Sequence, residues 1–254
     1  MTPAETAAAL KKPIGDLGMQ FMSDPLTREA GKAMGLRGRP LYHLGRGGAL
    51  GDVPAEVVVA AFYFFPPEVV IDNWNAGRDV MSPPKVALAY ADQCNEWGRR
   101  NFAGLPGIER ALELLERVAD GAEGAGLPLF VGWRLLPRPS DVPGRLAQVI
   151  NVMREHRGSV HACAAASVGI GPLEAVMAGP YGAPNAKFFE WPEPWPDPAP
   201  FEAVWQQVEW LTIGAAAPPY AILSADERAE LVGLVSEIHG RLGFADAPWL
   251  APRR

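Results

Sequence analysis

Residues 53–70 read VPAEVVVAAFYFFPPEVV, and no other stretch limits the fold as strongly. Pro54 sits where a first helical turn tolerates proline, and residues 55–65 are almost wholly apolar. A helix with no polar face has to be covered on every side. Pro66-Pro67 stops it and Glu68-Val69-Val70 opens another, so the segment reads as helix, tight turn, helix. A second unit of this kind occupies residues 160–176, VHACAAASVGIGPLEAV, with its break at 169–172.

Laying Glu68 over Glu174 sets Val69-Val70 beside Ala175-Val176, and the correspondence continues downstream. GIERALELLERV (107–118) resembles ADERAELVGLVSEI (225–238), and LPLF (127–130) takes the place of APWL (247–250). The offset drifts along the way, as loop insertions produce. The expected fold is mainly α, a tandem pseudo-repeat of two helix-turn-helix, winged-helix-like halves: residues 1–138 and 139–254, meeting near the proline-rich stretch 136–143. In the second half, Phe201, Val204, Trp205, Val208 and Leu211 form an amphipathic stripe that packs on the core. Ser224 and Glu227 read as a capping box before a helix over 225–242. Residues 212–223, with Gly214 and Pro218-Pro219, fill the place of a wing or loop.

Composition decides which classes of protein remain. With 48% hydrophobic and 20% charged residues the chain is globular, and 27 glycines and 26 prolines stay below the level of low-complexity sequence. Acidic residues outnumber basic ones 29 to 23, for a net charge of −6, opposite in sign to what a phosphate backbone rewards. Nucleic acid is therefore disfavoured as a partner. The two cysteines, Cys94 and Cys163, form no CxxC or Cys/His cluster, so neither a disulfide framework nor a zinc site is encoded. Neither a signal peptide nor a long apolar run is present, which points to a cytoplasmic, membrane-free protein and admits a homodimer.

Residues 146–168, LAQVINVMREHRGSVHACAAASV, break their own pattern. Both ends are apolar, yet Arg154, Glu155, His156, Arg157 and His161 fall together at the middle. Charges inside a covered helix must be paired, so the cluster is either a structural ion network or a site. Arg154, Arg157 and His161 share one face, whereas His156 continues a stripe through Val149, Val152, Val160 and Cys163. Two histidines five apart do not converge on a metal, so none is expected, and no cofactor motif occurs. Arg157 with His161 at i, i+4 suits another chemistry, with the guanidinium holding a carboxylate or enolate oxygen while the imidazole moves a proton. In the structural alternative, Arg154 and Arg157 pair with acids such as Glu56, Glu68 or Glu174.

In the first half, Tyr42, His43 and Arg46 lead through Gly45, Gly47, Gly48 and Gly51 into the apolar helix. Such glycine density lets a backbone approach a ligand, although no phosphate-binding spacing is present. The block Phe62, Tyr63, Phe64 and Phe65 reads as core, with the Tyr63 hydroxyl a candidate for a pocket wall. Residues 188–198, FFEWPEPWPDP, are too proline-rich for regular structure and too aromatic for a free linker. They form a candidate lid carrying Trp191 and Trp195, or a cover over exposed core.

GLRG (35–38), Tyr42 through Arg46, LGDVPAEVVVAAFYFFPPEVV (50–70) and above all MREHRGSVHACAAA (153–166) resemble the SalK-type helix-turn-helix family of actinobacterial proteins. The resemblance covers most of the chain, and the stretch from Trp205 to Trp249 is similar to the family's winged-helix-like C-terminus. The family's biochemical role is poorly defined and its members often lie near specialised-metabolite genes, so the resemblance implies fold more than function. Two departures stand out. Gly47-Gly48-Ala49 replaces an alanine-alanine-proline stretch, and a histidine common near the family's N-terminus has no counterpart around residues 12–17.

The expected function is a cofactor-independent enzyme of small-molecule biosynthesis, performing isomerisation, elimination or cyclisation in a cleft between the halves. Arg157, His161, His156 and Glu155 are the candidate catalytic residues; Arg46, Tyr42, Tyr63, Arg154, Trp191 and Trp195 are the candidate substrate contacts. The alternatives are a winged-helix regulator that binds DNA and a non-catalytic binding or resistance protein. The candidate recognition segments, 68–75 and 173–178, are acidic or neutral where DNA reading needs basic side chains.

Overall fold

The computed structural model describes residues 1–243. Thirteen α-helices run in order among them: α1 (Pro3–Ser23), α2 (Pro25–Ala33), α3 (Arg39–Gly47), α4 (Ala55–Ala61), α5 (Pro67–Arg78), α6 (Pro83–Phe102) and α7 (Ile108–Gly121), then α8 (Pro128–Leu135), α9 (Val142–Val168), α10 (Pro172–Ala178), α11 (Gly182–Phe189), α12 (Glu202–Ala216) and α13 (Ala225–Leu242). The prolines set this layout. Eight of these helices carry proline at their first or second position, where the missing N–H has no intrahelical partner to lose. Capping boxes start α1, through Thr2 and Glu5, and α13, through Ser224 and Glu227 as its sequence required.

The long helix α9 runs through the middle, packed against α1, α6, α7, α8 and α12. Its approach to α6 needs Gly98, because a Cβ there would lie 2.5 Å from the Pro143 carbonyl oxygen. Gly45 serves α3 in the same way, since a Cβ would come within 2.4 Å of the Tyr90 ring. Gly45, Gly47 and Gly48 thus admit the protein's own helices, whereas Gly51 has open space around it. The main core takes Phe21, Phe62, Trp74, Phe102, Phe130 and Trp133 from before residue 138 together with Leu146, Val149, Ile150 and Val152 of α9 and Leu231 and Val235 of α13. A smaller cluster joins Ala164, Ala165, Ile170, Ala175 and Val208, with Tyr63, Phe64 and Trp205 packed on it.

At both places where the sequence marks a break, one helix ends and another begins. The first is α4–α5, although α4 ends at Ala61 and residues 62–66 form the turn. A helix cannot persist up to Pro66, whose ring disfavours helical geometry in the residue before it. The second is the end of α9 with α10, bent by 109° after Gly169, which takes a positive φ of 73°. The helices entering the two bends differ, α4 with 7 residues and α9 with 27. The segments matched at 107–118 and 225–238 are both helical, and α7 packs against α13. The APWL match at 247–250, like Trp249, lies outside the described residues.

The wing is not found. No strand occurs among the described residues, and 212–223 comprises the last turns of α12, a 3-10 segment at Pro218–Ile222 and Leu223. Alanines 215–217 extend the helix, and Thr212 turns its hydroxyl back onto the Val208 carbonyl at 2.7 Å, so neither favours an extended strand. Among the described residues no single helix is long and apolar enough to cross a membrane.

Candidate functional site

The charged centre of α9 divides between separate environments. On one side Glu155, with no exposed surface, receives Arg46 of α3 through a paired contact, Nε to Oε1 at 2.9 Å and Nη2 to Oε2 at 2.8 Å. Arg154 adds a third bond to Oε1 at 2.6 Å. The remaining Arg46 nitrogen donates to the Tyr42 hydroxyl at 3.2 Å, and the guanidinium lies 4.5 Å over the Phe62 ring. Every nitrogen of Arg46 is therefore in use. Burial pushes the Glu155 carboxyl up, but Arg46 and Arg154 outweigh it and hold the group below its ordinary value. Arg46 is raised in turn, the attraction of Glu155 overcoming its own desolvation.

On the other side Arg157 and His161 meet a carboxylate that sequence reading did not pick out. Glu209 of α12 lies 3.1 Å from Arg157 Nη2 and 3.7 Å from His161 Nδ1, and it also pairs with Lys11 of α1. Burial raises the Glu209 carboxyl, while Lys11 and Arg157 more than reverse this. His161 Nδ1 is 2.8 Å from the Thr212 hydroxyl, whose proton goes to the Val208 carbonyl. That chain makes Nδ1 the donor and leaves Nε2 with a free lone pair and no partner among the described residues. The ring sits 5.2 Å from Phe64 and 5.1 Å from Trp205. Burial, then Arg157, lowers its pKa to about 4, so the imidazole is neutral at pH 7.

Arg157 differs from Arg46 in its bonding. Only Nη2 is engaged; Nε and Nη1 have no partner among the described residues. Beside it a cavity of about 10 Å³, close to the volume one water fills, is lined by Leu10, Lys11, Ile14, Met153, His156 and Arg157.

The predicted residues thus fall into three environments. Arg157 and His161 come together as the i, i+4 spacing required. Arg46, Tyr42, Arg154 and Glu155 form a separate, closed network. Arg154 shares a helical face with Arg157 in sequence, but it runs along α1 at Gly18 and bonds Glu155. His156 is buried against Phe130 at 4.9 Å; its Nδ1 has no partner, and burial followed by Arg134 lowers its pKa to about 4. Tyr63 donates to the Ile170 carbonyl at 2.6 Å, and the indole N–H groups of Trp191 and Trp195 go to the carbonyls of Phe64 and Trp191, both at 3.0 Å. The proline-rich segment therefore covers the α4–α5 turn, and these three donors are spent on backbone. Arg154 and Arg157 pair with Glu155 and Glu209, not with Glu56, Glu68 or Glu174. Glu209 sits next to Val208 on the apolar stripe of α12, a faint signal; Lys11 carried none.

Fold and site define a mainly α protein with paired charges buried at its centre. The chain matches a helix-turn-helix family over residues 7–247 and belongs to that family. Neither the curated proteins nor the solved structures contain a match to it.

Proposed function

We propose that this helix-turn-helix scaffold carries small-molecule proton-transfer chemistry of the isomerisation, elimination or cyclisation type, with His161 as the base and Arg157 as the oxygen-holding group. The observation that carries the reading is the state of His161. The Thr212 hydroxyl fixes its Nδ1–H, and Nε2 is left as an unshared base one helical turn along α9 from a guanidinium with unused donors. Burial and Arg157 keep this imidazole unprotonated at pH 7, so its Nε2 is in the form that accepts a proton. Nε2 would remove a proton α to a carbonyl, the electron pair would move onto the carbonyl oxygen held by Arg157, and the proton would return at another carbon. Thr212, in place of His156 and Glu155, orients the base, with the Glu209 carboxylate 3.7 Å away.

A deuterium wash-in experiment tests this reading. The protein is incubated in D₂O with a metabolite extract and solvent label is read by mass spectrometry. At least one metabolite should gain deuterium with the unmodified protein and none with His161→Gln. Absence of label in both removes the proposal.

Membership of a helix-turn-helix family favours a second reading, DNA binding. Against it, the exposed positions of α5 include Glu68, Asp72 and Asn75, and Arg78 is paired to Asp52 at 2.8 Å. Salt-dependent binding to DNA tighter than about micromolar, combined with no labelled metabolite, would put this reading first.

A further inference from the structure

Lys11 and Arg157 contribute two positive charges to a cluster in which Glu209 is the only carboxylate and His161 is neutral. The Arg46 network has the same count, two arginines on one glutamate, but there the guanidinium of Arg46 is fully used. At Arg157, Nε and Nη1 remain open, on different edges of the guanidinium. It borders a cavity whose other walls are mostly apolar, Leu10, Ile14 and Met153 among them, and a second polar group, His156, lines the same cavity at 2% exposure with an unbonded Nδ1. Unused guanidinium donors, a neighbouring ammonium and an excess of one positive charge beside an apolar cavity are recognition elements for a carboxylate on an apolar body.

We propose that the surface between α1 and α9 at Lys11 and Arg157 binds a carboxylate oxygen of a small organic acid, through Arg157 Nη1 with Lys11 alongside, which leaves Nε to the carbonyl oxygen. The assignment rests on the proton-transfer reading only for what is done to the acid, and it names the substrate class of that site: an anionic, largely apolar carbonyl compound. The cavity is too small to take the body of such a ligand, so it receives at most the end of the charged group, and the body lies at the mouth.

Benzoate serves as the probe, followed through the histidine ring resonances of the full chain by NMR, with benzamide and inorganic phosphate as comparisons. Benzoate should produce a saturable shift that weakens at least tenfold in Arg157→Gln and more modestly in Lys11→Gln, while benzamide produces none. Thermal denaturation verifies that both variants fold; Lys11, 43% exposed at its side chain, gives the safer of the two. The proposal is overturned if benzamide binds as benzoate does, if phosphate binds more tightly than benzoate, or if neither variant weakens the shift. Its failure is separable from failure of the proton-transfer reading. Benzoate binding without deuterium wash-in keeps the carboxylate site, and wash-in without benzoate binding keeps the base and removes this anchor.

Discussion

Arg46 and Arg157 are a matched pair set in different surroundings. Each binds a glutamate across α9, and each glutamate is shared with a second cation, Arg154 or Lys11. Arg46 is surrounded by Phe62, Tyr42 and the main core, and all its donors are consumed. Arg157 lies where α1, α9 and α12 leave a gap, and two of its nitrogens are idle. The difference shows that charge in a buried helix has no single meaning. A closed network fixes helices in place, whereas an open one retains donors that something else can use.

Acidification should have the largest effect on both regions at once. His43, His156 and His161 all have pKa values lowered to about 4, chiefly by burial, whereas the unfolded chain's histidines titrate near 6.5. Between these values the unfolded state holds more protons, so stability rises with pH across that window and the full penalty is felt below it. Each histidine contributes on the order of 1.4 kcal/mol per pH step. Urea denaturation from pH 7 to pH 4 should show a steep loss, shallower in a His43→Phe variant; a flat profile would mean these rings are open to water.

Breaking the carboxylates separates the two networks. Glu155→Ala leaves Arg46 and Arg154 uncompensated in the interior and should cost roughly 3–5 kcal/mol by denaturant unfolding. Glu209→Ala, whose partners reach solvent, should cost about 1 kcal/mol. Equal losses would erase the distinction between closed and open. A smaller effect still is expected at the arginine itself: Arg157→Gln should change stability by less than about 1 kcal/mol while abolishing wash-in. No gel shift is expected with random duplex DNA at physiological salt, given the charge of −6 and the acidic face of α5.

Much of the framework was legible in the chain because it depends on neighbours in sequence. Proline at helix starts, the Ser224–Glu227 box, the apolar run before Pro66 and the i, i+4 pair Arg157–His161 are local rules, and each yields the geometry it implies. The wing fails for a related reason. Gap and punctuation alone suggest a wing at residues 212–223, while alanine propensity and the Thr212 back-bond continue the helix. The glycines after Tyr42 also mislead locally, since only the packed neighbour reveals that Gly45 makes room for Tyr90.

What tertiary structure alone decided is which charges meet. Arg154 and Arg157 are three residues apart on one helix, yet they turn to Glu155 and Glu209 because α3 approaches from one side and α12 from the other. Helical spacing gives the direction of a side chain but not the element facing it. Lys11 and Glu209 come from α1 and α12, far from α9 in sequence, and no periodicity within α9 could supply them. By itself the sequence determined a helical chain with helix-turn-helix turns and charge trapped in a covered helix. Only the packing of α1, α3 and α12 around that helix made one charged cluster a closed network and the other an open site, because pairing in the interior depends on which helices come within hydrogen-bonding distance.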